Sequence, residues 1–368
     1  MGKVVVHLIV GLDKAGAETM LYQILKNSHC NNIYKVVSMG KGNYYKPYIE
    51  NLGIEVLELN MKQHPFKSIG AAKKILKGAD TLCCWMYHSN LVGYLAAKHL
   101  GIKKIIWCIR HSDLSPAHNK RRTLFINNIC ARFSRNVSLI LYNGKRARKV
   151  HEAVGYCKER GVITDNGCDT NEYKFDPEAR TCLLKELNIQ PDKKILLSVT
   201  RDAPIKDVPT FLEAFVRVHK KENDTIAVLC GSGITVENEK ITEFCEKKGI
   251  IIEKDIFLLG LRNDIPKLMS ACDLYVLHSA GEAFPNTLIQ AMSCETLCIT
   301  TDVGDARRII GDEECVVQPK NPIVLSKRIC EMFMLPEHEK KNKRKKNRNR
   351  VCEKYDIRNV VKQYEEFF

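Results

Sequence analysis

The feature that most limits how this chain can fold is an alternation of short apolar segments with amphipathic segments, which runs twice along the sequence. The apolar segments are rich in β-branched residues and have the length of strands, while the segments between them repeat apolar residues at helical spacing. Strands that alternate with helices form βαβ units and lie parallel in one sheet. The pattern predicts an α/β protein with two doubly wound parallel sheets.

The apolar segments predict thirteen strands. Seven fall in the first half of the chain, at 4–10, 34–37, 55–59, 81–84, 104–108, 138–142 and 162–164. Six fall in the second half, at 194–200, 226–230, 256–259, 274–277, 297–300 and 315–317. Helices are predicted at 17–26, 90–100 and 210–219. Asp207 stands where the N-cap of the last helix is expected.

The length of 368 residues fits two domains better than one core. Asn-Gly, Asp-Pro and Gln-Pro turn signals cluster between 166 and 192. We therefore predict a first domain at 1–168, a linker at 169–192 and a second domain at 193–339.

The composition favours a cytoplasmic protein. No apolar run approaches the roughly 20 residues of a membrane span, and the first residues resemble a strand rather than a signal peptide. The sixteen cysteines include no C-x-x-C pair, and several lie in apolar runs. We expect them to be reduced core residues in a reducing compartment.

The net charge of +15 is unevenly distributed. Residues 1–170 sum to +15, 171–339 to −7 and 340–368 to +7, with eight Lys or Arg in 340–350. That basic tract is predicted to be a solvated helix face or loop. The basic first half favours a polyanion or an anionic surface, so nucleic acid and the cytoplasmic membrane leaflet are both candidates.

The most informative stretch is 277–292, LHSAGEAFPNTLIQAM. It follows an apolar strand, turns through glycine and a carboxylate, and enters a helix near Pro285. A helix N-terminus at the C-terminal end of a parallel strand is a ready site for phosphate. Glu282 cannot serve a phosphate, so we expect it to accept hydrogen bonds from sugar hydroxyls.

Two other turns also follow predicted strands. Arg201 and Lys206 lie at the same predicted sheet edge as Glu282, where fixed cations would stabilise a leaving diphosphate as it gains charge. The turn at 11–18 has neither the dinucleotide-binding nor the P-loop glycine spacing. Its small residues nevertheless let a ligand approach the backbone closely.

In this order, the stretches resemble the motifs of the family 4 glycosyltransferases of the GT-B fold, over nearly the whole chain. The family patterns are G-G-A-E, N-G-x-D, R-x(4)-K-G and E-G-F-P-N-x-x-x-E. They correspond here to 15–18, 166–169, 201–207 and 282–290, with Thr-Asp-Val-Gly at 301–304. The resemblance implies two Rossmann-like domains facing a central cleft, with a final helix at 351–368 that crosses back onto the first domain.

The resemblance also implies retaining transfer of a sugar from a nucleoside diphosphate sugar, without a metal or cofactor. Gly16 would approach the donor phosphates, and Glu282 would contact the donor sugar. The diphosphate would be held by Arg201 and Lys206. Further donor contacts would come from Phe284, Pro285, Asn286, Thr287 and Gln290.

Two histidines follow first-domain strands. His111 matches a histidine that lies near the reacting sugar in the family, so it joins Glu282, Arg201 and Lys206 as a predicted catalytic residue. His88 is more simply explained as the start of the next helix. Retention is compatible with a covalent intermediate or with same-face attack.

Three positions depart from the family pattern. Gln290 replaces the acidic residue that binds the ribose, Ala15 replaces the first glycine of the pair, and Asp207 replaces the glycine after the lysine. These changes leave open a homologue that binds a sugar nucleotide without turnover.

The charge distribution suggests where the acceptor binds. If all of 340–368 packs on the first domain, that side carries +22 against −7 opposite. We expect this side to bind a glycan or lipid-linked acceptor and to attach to the cytoplasmic face of the inner membrane, in cell-surface polysaccharide synthesis.

Two alternatives fit the sequence less well. A nucleic-acid-binding protein would interleave aromatic residues with its basic residues or carry the motif of a known nucleic-acid-recognition domain. Neither feature is found in the sequence. A nicotinamide dehydrogenase would carry the glycine fingerprint that the first turn lacks.

Overall fold

A computed structural model describes residues 2–40, 44–59, 65–116 and 119–368, with the backbone alone for 65–69. The chain forms two compact units. Unit 1 consists of Met1–Gly167 and Ile357–Phe368, and unit 2 consists of Cys168–Asp356.

The strands of the described chain all lie within one or two residues of the predicted ones. They are β1 (Val4–Ile9), β2 (Ile33–Ser38), β3 (Glu55–Glu58), β4 (Thr81–Trp85), β5 (Lys104–Ile109), β6 (Leu139–Tyr142), β7 (Gly161–Ile163), β8 (Lys194–Val199), β9 (Thr225–Cys230), β10 (Ile256–Leu258), β11 (Leu274–Leu277), β12 (Leu297–Thr301) and β13 (Val316–Val317).

The α-helices of the same residues alternate with these strands and then close the chain. They are α1 (Gly16–Asn27), α2 (Lys46–Glu50), α3 (Pro65–Leu76), α4 (Met86–Leu100), α5 (Arg121–Phe133), α6 (Lys145–Ala153), α7 (Ala179–Glu186), α8 (Val208–His219), α9 (Glu239–Lys248), α10 (Ile265–Ala271), α11 (Asn286–Ser293), α12 (Ala306–Ile310), α13 (Pro322–Met334), α14 (Glu337–Lys354) and α15 (Ile357–Phe367).

Unit 1 is built on a parallel sheet that, in the described residues, has the order β3-β2-β1-β4-β5-β6-β7. Side chains alternate between its two faces, as strand geometry requires. Val5 and Ile9 of β1 face a core shared with α1 and α15, whereas Val6 and Leu8 face a core shared with α4 and α5. Burial of both faces explains why these strands are continuous apolar runs.

Unit 2 is built on a second parallel sheet, with the order β10-β9-β8-β11-β12-β13 among the described residues. Its helices and both sheet faces share one core, to which α8 contributes Phe211 and Phe215. The predicted fold class, two doubly wound parallel-sheet α/β domains, is therefore confirmed.

The structure places the boundaries differently from the sequence prediction. Residues 169–192, expected to be a linker, belong to unit 2, where α7 packs against α10. The final helix, predicted to cross back at 351–368, returns to unit 1 only over 357–368, where α15 packs on α1. Helix α14 belongs to unit 2, so the condition that all of 340–368 packs on the first domain is not met.

The basic tract at 340–350 is not simply a solvated helix face. Arg348 donates to the carbonyl oxygens of Ser293, Tyr173 and Thr170, and Arg350 donates to those of Ile309 and Arg308. Cations at helix C-termini satisfy the last carbonyl groups and complement the macrodipole. Part of the tract therefore fastens the ends of α11 and α12.

This placement changes the charge distribution. Unit 1 has 28 Lys/Arg against 12 Asp/Glu, a net charge of +16, and unit 2 has 30 against 31, a net charge of −1. The asymmetry remains, but it comes from unit 1 itself. All sixteen cysteines are free thiols, twelve of them buried. Among the described helices, none combines the length and apolarity needed to cross a bilayer.

Candidate active site

The strand order of unit 2 places a crevice between β8 and β11. The chain winds from β8 towards β10 on one side and from β11 towards β13 on the other, so the loops after β8 and β11 leave in opposite directions. Open α/β sheets bind ligands at such a switch point, outside the carboxyl ends of the strands. The ladder between these strands ends at the Leu197–Tyr275 pair.

Lys206 and Glu282 meet at this point. Lys206 Nζ lies 2.5 Å from Glu282 Oε1, and the side chains are 24% and 12% exposed. Ser279 Oγ donates to the same carboxylate oxygen at 2.7 Å. The structure therefore joins the two strand-to-helix turns that the sequence singled out, through a partly buried pair of opposite charges.

The backbone fixes both turns. The N–H groups of Ala280 and Gly281 donate to the carbonyl oxygen of Ile205, at 2.9 and 3.3 Å. Gly304 lies behind the Glu282 turn with φ +55°, and a Cβ there would lie 2.5 Å from the carbonyl oxygen of Glu282. Only glycine fits this close approach, which explains the Thr-Asp-Val-Gly sequence after β12.

Sequence reasoning gave no role to His278, which holds the two strands together beyond their ladder. Its Nδ1 lies 3.2 Å from the carbonyl oxygen of Asp207 and its Nε2 lies 2.7 Å from Ser198 Oγ. Since a carbonyl only accepts, Nδ1 carries the proton and Nε2 accepts from the serine. Burial lowers the pKa of His278 to about 4, so the ring is neutral. Its position directly after an apolar strand was the available signal.

Asp207 does not act as the predicted side-chain N-cap. It lies at the N-cap position of α8 but has φ +53° and makes no capping hydrogen bond, and its Oδ2 is buried without a partner among the described residues. Glycine adopts this left-handed conformation without steric cost, whereas aspartate adopts it with some strain. This geometry accounts for the glycine that the family has here.

The segment 284–287 leads into α11, whose N-terminus has no side-chain cap among the described residues. Phe284 is buried and packs edge-on against Tyr355, with ring centroids 5.7 Å apart. Thr287 Oγ1 accepts from Tyr275 at 2.7 Å. Phe284 can therefore offer a ligand only its backbone, while the uncapped helix end remains suited to an anion.

Gln290 and Arg201 occupy less constrained positions. Gln290 is half-buried on α11, one turn beyond Asn286 and on the same face. Arg201 is exposed after β8 and makes no hydrogen bond or ion pair with any residue that the structure describes. The structure does not join Arg201 to Lys206 and Glu282, and its place at the diphosphate stays a prediction.

Unit 1 has its own switch point, between β1 and β4. Gly16 begins α1 directly after the β1 turn, and a Cβ there would meet nothing within 4 Å. The fold itself therefore does not require glycine at this position. His88 lies in the first turn of α4, as predicted, and burial lowers its pKa. His88 follows β4, which borders the switch point, whereas His111 follows β5, one strand further away.

His111 is held by Asn119. Its Nε2 lies 3.1 Å from Asn119 Oδ1, and Asn119 Nδ2 donates to the carbonyl oxygens of Asp113 and Ser115. Because both amide hydrogens are used, the oxygen must face the ring, and His111 carries a proton on Nε2. The sequence gave no signal for this pairing. Within the described residues, no group of three His, Cys, Asp or Glu side chains could hold a metal ion.

Comparison with known proteins shows which proteins this chain is similar to. Residues 180–350 match the model of the glycosyl transferases group 1. These findings support a glycosyltransferase of the family 4 type, and the chain has the GT-B fold.

Two relatives and one solved structure illustrate the relationship. N-acetyl-α-D-glucosaminyl L-malate synthase of Bacillus anthracis is 27% identical over 330 residues, which are 86% of this chain and 82% of that protein. N,N'-diacetylbacillosaminyl-diphospho-undecaprenol α-1,3-N-acetylgalactosaminyltransferase of Campylobacter jejuni is 25% identical over 66% of this chain and 58% of its own length. HepE of Anabaena, solved with UDP and glucose, has a TM-score of 0.85 with 20% identity, covering 98% of both chains.

Proposed function

We propose that this chain transfers a sugar from a nucleoside diphosphate sugar to a glycan or lipid-linked acceptor, with retention at the anomeric carbon and without a metal. The proposal is carried by one observation. Lys206 and Glu282 meet at the switch point of unit 2, beside the N-terminus of α11, which no side chain of the described residues caps. A cation, a carboxylate and a helix N-terminus together match the groups of a sugar diphosphate.

The chemistry assigns a role to each group. The bond between the anomeric carbon and the diphosphate oxygen breaks, and a hydroxyl oxygen of the acceptor bonds to that carbon and loses its proton. The diphosphate leaves with increased negative charge. Lys206, Arg201 and the first N–H groups of α11 would stabilise it, and Glu282 would accept hydrogen bonds from hydroxyls of the sugar.

Names of related proteins support the substrate classes. HepE of Anabaena was solved with UDP and with UDP-glucose, and the Campylobacter relative is named for an undecaprenol-diphosphate acceptor. We propose the same classes here, in cell-surface polysaccharide synthesis. We further propose that the chain is cytoplasmic and attaches to the inner face of the membrane through its basic unit.

A homologue that binds a sugar nucleotide without turnover is the second candidate, and Gln290 favours it. A glutamine can bond a ribose hydroxyl, but it lacks the charge of the usual carboxylate. The backbone hydrogen bonds and the Gly304 contact that fix the turns of Lys206 and Glu282 are nevertheless present, which favours the enzyme.

The test begins with thermal shifts of the purified chain against uridine, guanosine and adenosine diphosphate sugars. The stabilising donor is then incubated with and without acceptor in EDTA, and NMR gives the anomeric configuration of the product. Transfer or donor hydrolysis with EDTA supports the proposed enzyme. Stabilisation without turnover supports the binding homologue, and no stabilisation by any donor contradicts both.

A further inference from the structure

The outer face of α5 carries an exposed aromatic ring among exposed cations. Phe125 is 66% exposed, and Arg121, Arg122 and Arg132 are exposed with it. At about 100° per residue, these four side chains fall within an arc of roughly 100° on the helix. Within the described parts of the chain, none of the three arginines has a hydrogen bond or ion pair.

Packing of the opposite face fixes this orientation. Asn127, Cys130 and Ala131 are buried, and Asn127 Oδ1 accepts from Tyr156 at 2.8 Å. Phe133 stacks on Tyr94 with ring centroids 4.9 Å apart. Helix α5 cannot rotate Phe125 inwards without losing these contacts, so the ring faces solvent.

The cations at the start of α5 are not explained by the stability of the helix, whereas Arg132 lies in its last turn, where a cation is favourable. Lys120, Arg121 and Arg122 begin the helix, where the macrodipole is positive and no acidic residue is present in the first turn. Cations at that end destabilise a helix. They also belong to the 28 cations that give unit 1 its net charge of +16. An anionic partner would relieve both effects.

We propose that residues 120–132 form a docking surface for an anionic lipid bilayer, with Phe125 entering the interface and the arginines contacting lipid phosphates. Interfacial helices combine apolar and basic side chains in this way. The inference rests on the proposed function, because a lipid-linked acceptor lies in a membrane. The start of α5 follows the loop that carries His111, so docking would bring lipid to that edge of the unit 1 sheet.

Flotation with phosphatidylglycerol-containing vesicles and with pure phosphatidylcholine vesicles tests the surface. We expect salt-sensitive binding to the anionic vesicles only. Arg121→Ala with Arg122→Ala should weaken vesicle binding about thirtyfold, because each cation near an anionic surface strengthens binding about fivefold. Phe125→Ala should weaken it about tenfold, and this loss should persist at high salt.

Matched controls lie in unit 2. Arg217→Ala with Lys220→Ala removes the same charge from exposed positions of α8 and its C-cap, and Met334→Ala truncates a side chain that is 69% exposed. Both should bind vesicles as the unaltered chain does. Equal losses in these controls, or full binding by the α5 variants, would overturn the proposal. So would preferential capture of single-stranded RNA over vesicles, which would make the face a nucleic-acid surface.

The two proposals can fail separately. The α5 variants should keep the donor-induced thermal shift and the transfer to a water-soluble acceptor, and should lose transfer only to acceptor embedded in vesicles. A chain without any transferase activity that still requires 120–132 for vesicle binding would refute the function and retain the surface. Loss of the donor-induced thermal shift in the α5 variants would contradict the proposal, because it would show that the α5 surface is not independent of the donor site.

Discussion

Lys206 and Glu282 form an ion pair, with 2.5 Å between Nζ and Oε1. The two groups proposed to bind the diphosphate and the sugar therefore neutralise each other's charge. Phosphate must compete with the carboxylate for the ammonium group. The pair thus holds the ammonium group of Lys206 in place and balances its charge.

Removal of each partner should have opposite effects on nucleotide binding. Lys206→Ala should weaken nucleoside diphosphate binding by about 10- to 100-fold, the value of one charge-assisted hydrogen bond. Glu282→Gln should leave that affinity unchanged or increase it, because Lys206 is released, and should reduce sugar transfer by about 100-fold or more. Calorimetric titration and initial rates measure the two effects, with Lys220→Ala as the control. Equal loss of nucleotide affinity in both variants would contradict the assigned roles.

Two glycines should respond differently to alanine. At Gly16 a Cβ meets open space, so Gly16→Ala should leave the thermal midpoint nearly unchanged and reduce donor turnover about tenfold by obstructing the phosphates. Gly304→Ala places a methyl against the Glu282 carbonyl at positive φ, so it should destabilise unit 2 by about 1–3 kcal/mol. Thermal melts and turnover separate the two. Unaltered turnover in Gly16→Ala would show that donor does not approach this turn.

Asn119 should affect His111 through a single hydrogen bond. Asn119→Ala removes the oxygen that faces Nε2, whereas Asn119→Asp keeps an oxygen there, and both lose the amide bonds to the loop carbonyls. The difference between the two variants therefore isolates the contact with the ring. We expect Asn119→Ala to lower kcat more than Asn119→Asp. Ring ¹⁵N shifts should show the Nε2–H tautomer in the unaltered chain, and an Nδ1–H ring would refute this assignment.

Stability should decline in mild acid because three buried histidines remain neutral in the fold. Burial lowers the pKa of His7 to about 3 and those of His151 and His278 to about 4. The unfolded chain binds protons near pH 6.5 and the folded chain does not, so stability is complete above pH 6.5 and is lost as the pH falls towards 4. For His278 the loss is about 3 kcal/mol by pH 4.

His278→Gln tests that contribution. Glutamine can donate to the Asp207 carbonyl but does not titrate, so the variant should be less stable at neutral pH and should lose less stability between pH 6.5 and 4. Urea melts over that range give the two slopes. Parallel slopes for the variant and the unaltered chain would rule out His278 as a source of the acid sensitivity.

The strands and the key turns could be predicted from the sequence because burial on both sheet faces leaves a continuous apolar signal. Lys206 and Glu282 follow adjacent strands, so strand order alone brings them to one sheet edge. The role of His278 could not be predicted, since its partners Ser198 and Asp207 come from a distant segment. That of Asn119 could not be predicted because it depends on how the loop after β5 folds back on His111. The family glycine pattern pointed to position 207, but only the dihedral angle shows why it is there.

The basic tract shows the limit of composition. Eight cations in eleven residues predict solvation, yet Arg348 and Arg350 are bound to helix ends by tertiary contacts. Nothing in 340–350 itself identifies those carbonyl groups. For the same reason, the composition did not show that the chain returns to the first domain at 357 rather than at the predicted 351.

The return of 357–368 to unit 1 has a consequence for synthesis on the ribosome. Unit 2 is one continuous stretch of 189 residues inserted into unit 1. The core formed by α1 and β1 lacks Tyr364 until that whole stretch has been translated, a delay of about 10–40 s at ordinary elongation rates. The inserted unit can fold first, while one face of the unit 1 sheet is covered by α1 but lacks the contribution of α15.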